Sequence, residues 1–144
     1  MDVKRAVAGV LIGTIVLYVT GQVIFNILFA DFYAANAGSA TGVPRAERLE
    51  WAVIVGGVAY AALITYTMSR RLSSLTVAKG AWIGAVVGFL LWATVDFVFY
   101  GSNNLSNLTV TIVDPILEFV HGGMGGAAIA AVLGMMQSSS GPST

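Results

Sequence analysis

Four separate stretches of this chain are long and apolar enough to cross a lipid bilayer, and nothing else in the sequence restricts its fold as strongly. An α-helix rises about 1.5 Å per residue, so a hydrocarbon layer of roughly 30 Å takes about 20 mostly apolar residues. The first stretch, residues 6–30, carries no charge. The second covers 51–69, with a helical lead-in expected from Pro44, because a proline's missing N–H costs nothing in the first helical turn. The third, 80–100, is interrupted by Asp96, and the fourth starts at 110 or 115, ends at 136 and contains Glu118 and His121. Short connections leave no room for a second domain. The chain therefore reads as an all-α polytopic membrane protein, a bundle of four transmembrane helices forming a single domain over residues 1–136. A tail of Ser, Gly and Pro at 137–144 is expected to be disordered.

Only 10% of the residues are charged and 57% are hydrophobic, whereas soluble domains carry roughly 25% charged residues, so a water-soluble globule is set aside. The 7 basic and 7 acidic residues cancel, and with no net field to attract it, nucleic acid is excluded as a partner. The lack of cysteine removes disulfides, thiolate metal sites and thiol nucleophiles. Lys4, Arg5, Arg70, Arg71 and Lys79 flank one side of the four stretches, while only Arg45 and Arg48 fall on the other. The basic side is normally cytoplasmic, so both termini are expected inside, in an inner (plasma) membrane. Phe32, Tyr33, Trp51, Phe99 and Tyr100 would then mark the outer interface, where an apolar ring body with a polar tip sits well. The first apolar run exceeds the h-region of about 7 to 15 residues typical of a signal peptide, so a retained helix is expected. Of the connections, 31–50 is the longest and must supply any lid or partner surface outside the membrane; 101–109 is uncharged and rich in Asn and Ser.

Lys4, Ala6, Gly9 and Gly13 recur in type and spacing as Lys79, Ala81, Gly84 and Gly88, and Gly56, Gly57, Ala61 and Ala62 recur as Gly122, Gly123, Ala127 and Ala128. Two readings stand: a duplicated helical hairpin giving parallel repeats, one of the symmetries known in transporter folds, or chance matching among helices built from Gly and Ala. Independently of that choice, glycines four apart leave smooth strips where a second backbone can approach, within the chain, in a homo-oligomer or in a larger complex.

The ionisable residues inside the stretches carry the chemistry. Asp114, Glu118 and His121 are related by i, i+4 and i+7 and share one helical face, and Asp96 lies near the outer end of its own helix. Tyr18, Gln22 and Asn26 form a similar row on the first helix, and Gln22 and Asn26 reach the same depth. On the insertion scale a charge at the bilayer centre costs about 2.5 to 3.5 kcal/mol, so three carboxylates facing lipid would cost roughly 8 to 10 kcal/mol, as much as a whole domain's stability. They must turn inward, into water, a protonated state, hydrogen bonds to Gln22 and Asn26, a pairing with His121 or a bound cation; Arg45 or Arg48 could fold in from the outer loop.

Glu118 and His121 form the Glu-x-x-His pair found in di-iron bundles, but such bundles need two motifs and this chain has 1 histidine. A metal within one chain is therefore disfavoured, and one shared across an oligomer stays open. The inner half offers little beyond Thr14, Thr65 and Thr67 to carry ions onward, which argues against through-transport. A general acid/base pair fits a carboxylate beside a histidine, though no cofactor motif accompanies it. Alternatively the cluster is a hydrogen-bonded lock between the third and fourth helices. Asp114 followed by Pro115 fits a helix N-cap and N1, which would start the fourth helix at Pro115 and make 105–113 an interfacial or re-entrant segment.

Gly88-Phe-Leu-Leu-Trp-Ala-Thr-Val-Asp96, Asn104, Leu108 and Thr111-Ile-Val-Asp114 resemble a group of bacterial four-helix predicted membrane proteins, a domain-of-unknown-function family, over residues 79–134. The resemblance implies the four-helix fold and a pairing of Asp96 with Asp114, and it supplies no activity. Where that family has a Thr-Asn pair shortly after the aspartate, this chain has Phe97-Val98-Phe99-Tyr100. The functional expectation is a chamber open to the outer side, formed by Asp96, Asp114, Glu118, His121, Gln22 and Asn26, that binds a proton, a cation or a small polar ligand. Its rivals are a non-catalytic accessory subunit packing through its glycine faces and a membrane-embedded enzyme acting on lipid or isoprenoid.

Overall fold

The computed structural model describes residues 1–138 and is helical almost throughout. In chain order come α1 (Val3–Val23), continued by a π-helical turn Ile24–Leu28, then α2 (Ala30–Ala35), α3 (Glu50–Met68), a 3₁₀ turn Ser69–Ser74, α4 (Val77–Ser102) and α5 (Leu108–Ser138). Four spans, Val3–Leu28, Glu50–Met68, Val77–Ser102 and Leu108–Gln137, are long and apolar enough to cross a membrane.

The surface is inverted relative to a soluble bundle. On α1 and its π turn, Val3, Val7, Leu11, Ile15, Val19, Val23 and Ile27 recur every fourth residue and are all exposed, as are Leu108, Ile112, Ile116, Val120 and Met124 on α5. Such stripes of large aliphatic side chains suit a surrounding of acyl chains and would be unfavourable in water.

Glycine determines how the helices meet. Along the α4–α5 seam, Cβ atoms on Gly84 and Gly88 would run into the carbonyl oxygens of Gly122 and Glu118, and one on Gly126 into that of Gly80. Only a residue without a side chain permits that backbone approach. On α1, Gly9 takes Thr65 and Gly13 takes Ala61 and Ile129. The glycines matching between the two hairpins thus do different work: Gly122 is wedged against Gly84, whereas a Cβ on Gly56 would touch nothing within 4 Å. Of the uses open to these strips, packing within the chain is the one seen at Gly84, Gly88, Gly122 and Gly126.

The packed core, including Leu17, Ala61, Ile64, Met68, Ile129 and Leu133, lies toward the basic end of the bundle. At the opposite end, here the loop end, the segments 36–40 and 104–107 close over the helices. An antiparallel bridge joins Ala37 to Ser106, and Gly38 N–H donates to the Leu105 carbonyl at 3.0 Å.

Several boundaries differ from the sequence reading. No helix leads in from Pro44, and α3 begins at Glu50. The first helix does not run on to Ala30: the Phe29 N–H reaches back five residues to the Ile24 carbonyl at 2.9 Å, and α2 then starts afresh. The last helix does not start at Pro115. Asn107 caps it, accepting from Val110 N–H at 3.1 Å, and Pro115 stands inside the helix, where it removes one rung of the hydrogen-bond ladder. Gln137, assigned to the tail, is helical and donates to the Leu72 carbonyl at 3.0 Å; residues 139–144 lie outside the described residues.

Candidate functional site

A cavity of about 790 Å³ lies among α1, α2, α3, α4 and α5, and its lining includes Gln22, Asn26, Asp114, Glu118 and His121. Their convergence follows from the α5 helical period, which stacks Asp114, Glu118 and His121 on one face, and all three are buried at 8%, 4% and 6% exposure. Burial at that level demands partners.

His121 has the clearest geometry. Its Nε2 lies 2.8 Å from the Leu17 carbonyl oxygen, which can only accept, so Nε2 carries a proton and donates. Its Nδ1 lies 2.9 Å from Glu118 Oε2. A single proton therefore sits between Nδ1 and Oε2, and the pair is neutral overall whether written as imidazolium and carboxylate or as imidazole and carboxylic acid. The Tyr60 hydroxyl points to the same Oε2 in a long contact of 3.4 Å. Two glycine positions make this arrangement possible: a Cβ on Gly21 would lie 3.3 Å from His121 Nε2, and one on Gly88 would occupy the place of the Tyr60 hydroxyl. Phe25, on the π turn, sets its ring edge-on to His121 at 5.4 Å. π turns are frequent at functional sites because one extra residue redirects the side chains that follow.

Asp114 is not a helix cap. Nearly two turns inside α5, it accepts a hydrogen bond from the Tyr33 hydroxyl on α2. Burial first, and then this bond, push the Tyr33 phenol well above the ordinary tyrosine range. Asp96 stands beside Asp114 but outside the cavity: the lining does not include Asp96, and its Oδ2 is buried with no hydrogen-bond partner among the described residues.

Gln22 and Asn26 line the cavity without bonding the acids. Asn26 Nδ2 donates to Gln22 Oε1 at 2.9 Å, and Arg48 folds in from the loop to donate to the same oxygen at 3.1 Å. Arg48 also pairs with Glu50 at 3.2 Å, and Tyr18 donates to the other Glu50 oxygen at 3.0 Å. A polar strap thus crosses the mouth while the neutral Glu118–His121 pair lies deeper. Among the described residues, no three His, Asp or Glu side chains gather as metal ligands would.

The sequence reading missed Tyr60, Trp92 and the Leu17 carbonyl as parts of the site, and it placed Tyr33 only as an interface aromatic. Tyr60 was detectable, since a phenol in mid-span needs a hydrogen-bond partner when buried. The backbone carbonyl had no signal, because which one a distant histidine meets depends on helix packing alone. Compared with known proteins, the chain matches no protein-family model, no curated protein and no solved structure.

Proposed function

We propose that this chain is a small multi-pass membrane protein whose loop-end cavity binds a small ligand through the Glu118–His121 pair. The supporting observation is the neutral, proton-sharing pair at the wall of a cavity large enough for an organic molecule, since pockets of about 300 to 1,000 Å³ with a few convergent polar groups are the usual form of ligand sites. A carboxyl and an imidazole that share one proton can hand it to a bound group or take one from it, the pair's charge changing by one unit, which also suits general acid/base work on what it binds. The accessory-subunit reading has less support, because the glycine strips it relied on pack within the chain. The charge asymmetry favours an inner membrane with the loop end outward and both termini cytoplasmic.

The experiment is mass spectrometry of small molecules that co-purify with the intact protein in mild detergent, repeated for Glu118→Gln and His121→Asn. A molecule held near stoichiometry by the parent and reduced at least tenfold in both variants is the expected result. Variants that melt earlier while the co-purifying molecules stay the same would leave the pair a purely structural lock.

A further inference from the structure

The two ends of the cavity differ in chemistry. Glu118, His121, Tyr60 and Asp114 supply polar groups to the lining, while α3 and α4 also contribute the aliphatic side chains Val53, Ile54, Leu63 and Leu91 and the indole of Trp92. Val53, Ile54 and Leu63 line the cavity and keep 37%, 46% and 41% of their surface exposed. Helix α3 packs along α1 and meets α4 and α5 only sparsely. Near its middle, Gly56 opens into space. The side of the cavity facing acyl chains is therefore a gap, through which a molecule dissolved in the bilayer reaches the polar end without passing the strap at Arg48.

Charge decides which head group belongs there. Arg48, the one cationic side chain of the lining apart from His121, is taken by Glu50 and Gln22. The Glu118–His121 pair is neutral, and Asp114 adds an acid. An anionic head such as phosphate would lose its hydration and meet no unpaired cation. Both hydrogen bonds to Glu118 fall on Oε2, so Oε1 has no hydrogen-bond partner among the described residues and, with the shared proton on the Oε2 side, remains an acceptor. An uncharged donor satisfies it.

We propose that the ligand is a lipid alcohol, an amphiphile with an uncharged hydroxyl head, which enters from the bilayer between α3 and α4, donates its hydroxyl to Glu118 and lays its tail along Val53, Ile54 and Leu91. This assignment rests on the cavity being a ligand site. The full chain in phosphatidylcholine nanodiscs is labelled with photoreactive, alkyne-tagged geranylgeraniol, with unlabelled geranylgeraniol and geranylgeranyl phosphate as competitors. Expected are saturable labelling of α3 and α4 peptides and displacement by the alcohol at a concentration at least tenfold below that needed with the phosphate. Gly56→Phe should cut labelling at least fivefold with the thermal midpoint unchanged, because position 56 faces space. Labelling spread along the exposed stripes of α1 and α5, labelling undiminished in Gly56→Phe, or equal displacement by the phosphate overturns the assignment. If the alcohol labels non-specifically but Glu118→Gln and His121→Asn still release a co-purifying water-soluble molecule, the ligand site stands and only the lipid assignment falls; if those two variants release nothing either, both fall.

Discussion

Tyr33 shows how one side chain couples the loop end to the buried acids. Its hydroxyl bonds Asp114, and its phenol is held protonated by burial and by that bond. A tyrosine whose folded-state pKa is raised contributes stability that is complete below its unfolded value of about 10 and is lost as pH rises toward the folded value. The contact of α2 with α5 should therefore weaken from about pH 10 upward. Absorbance at 295 nm should show Tyr33 among the tyrosines that ionise only as structure is lost. Tyr33→Phe should reduce that late step by one tyrosine and, by leaving Asp114 short of a donor, lower stability by about 1 to 3 kcal/mol in detergent melts. A normal titration of every exposed tyrosine together with Tyr33 would contradict this account.

At the scale of helices, glycines that look alike in sequence carry opposite loads. Gly84→Ala must push α4 away from α5, because the new methyl meets the Gly122 carbonyl and the Gly126 Cα. A cost of about 1 to 3 kcal/mol is expected, as for overpacked cores. Gly56→Ala meets nothing and should leave the melting temperature unchanged or slightly raised, since alanine is the better helix former. Thermal melts of the two variants side by side check the contrast. Asn107 has two tasks: its side chain caps α5 through Val110 N–H, and its Nδ2 donates to Asn36 Oδ1 at 3.0 Å. Asn107→Ala should cost about 1 to 2 kcal/mol, at the upper end for a cap, and hydrogen exchange should quicken first in the opening turn of α5 and around Asn36. Asp114-Pro115 looked like the start of this helix because the pair has the right residues for a cap and N1. Asn107 has equal capping ability about two turns earlier, and the largely β-branched run from Leu108 to Val113 continues the helix, with Val110 and Thr111 buried in the bundle.

At the scale of the molecule, the exposed stripes assign the surroundings. Ile15 lies mid-span on the α1 stripe, so Ile15→Lys should oppose insertion by about 2.5 to 3.5 kcal/mol and reduce the membrane-integrated fraction in a glycosylation-mapping assay. Unimpaired insertion would count against that face meeting lipid. Helical identity, the existence of four segments long and apolar enough to span a membrane, and the shared face of Asp114, Glu118 and His121 were all legible in the residues, because hydropathy and the 3.6-residue period are properties of one segment at a time. What each group pairs with was not. Tyr33 reaching Asp114 and Gln22 meeting Arg48 depend on where separate segments come to lie, and Tyr60 reaching Glu118 and His121 donating to the Leu17 carbonyl depend on how closely Gly88 and Gly21 let helices approach, a distance that belongs to no single helix.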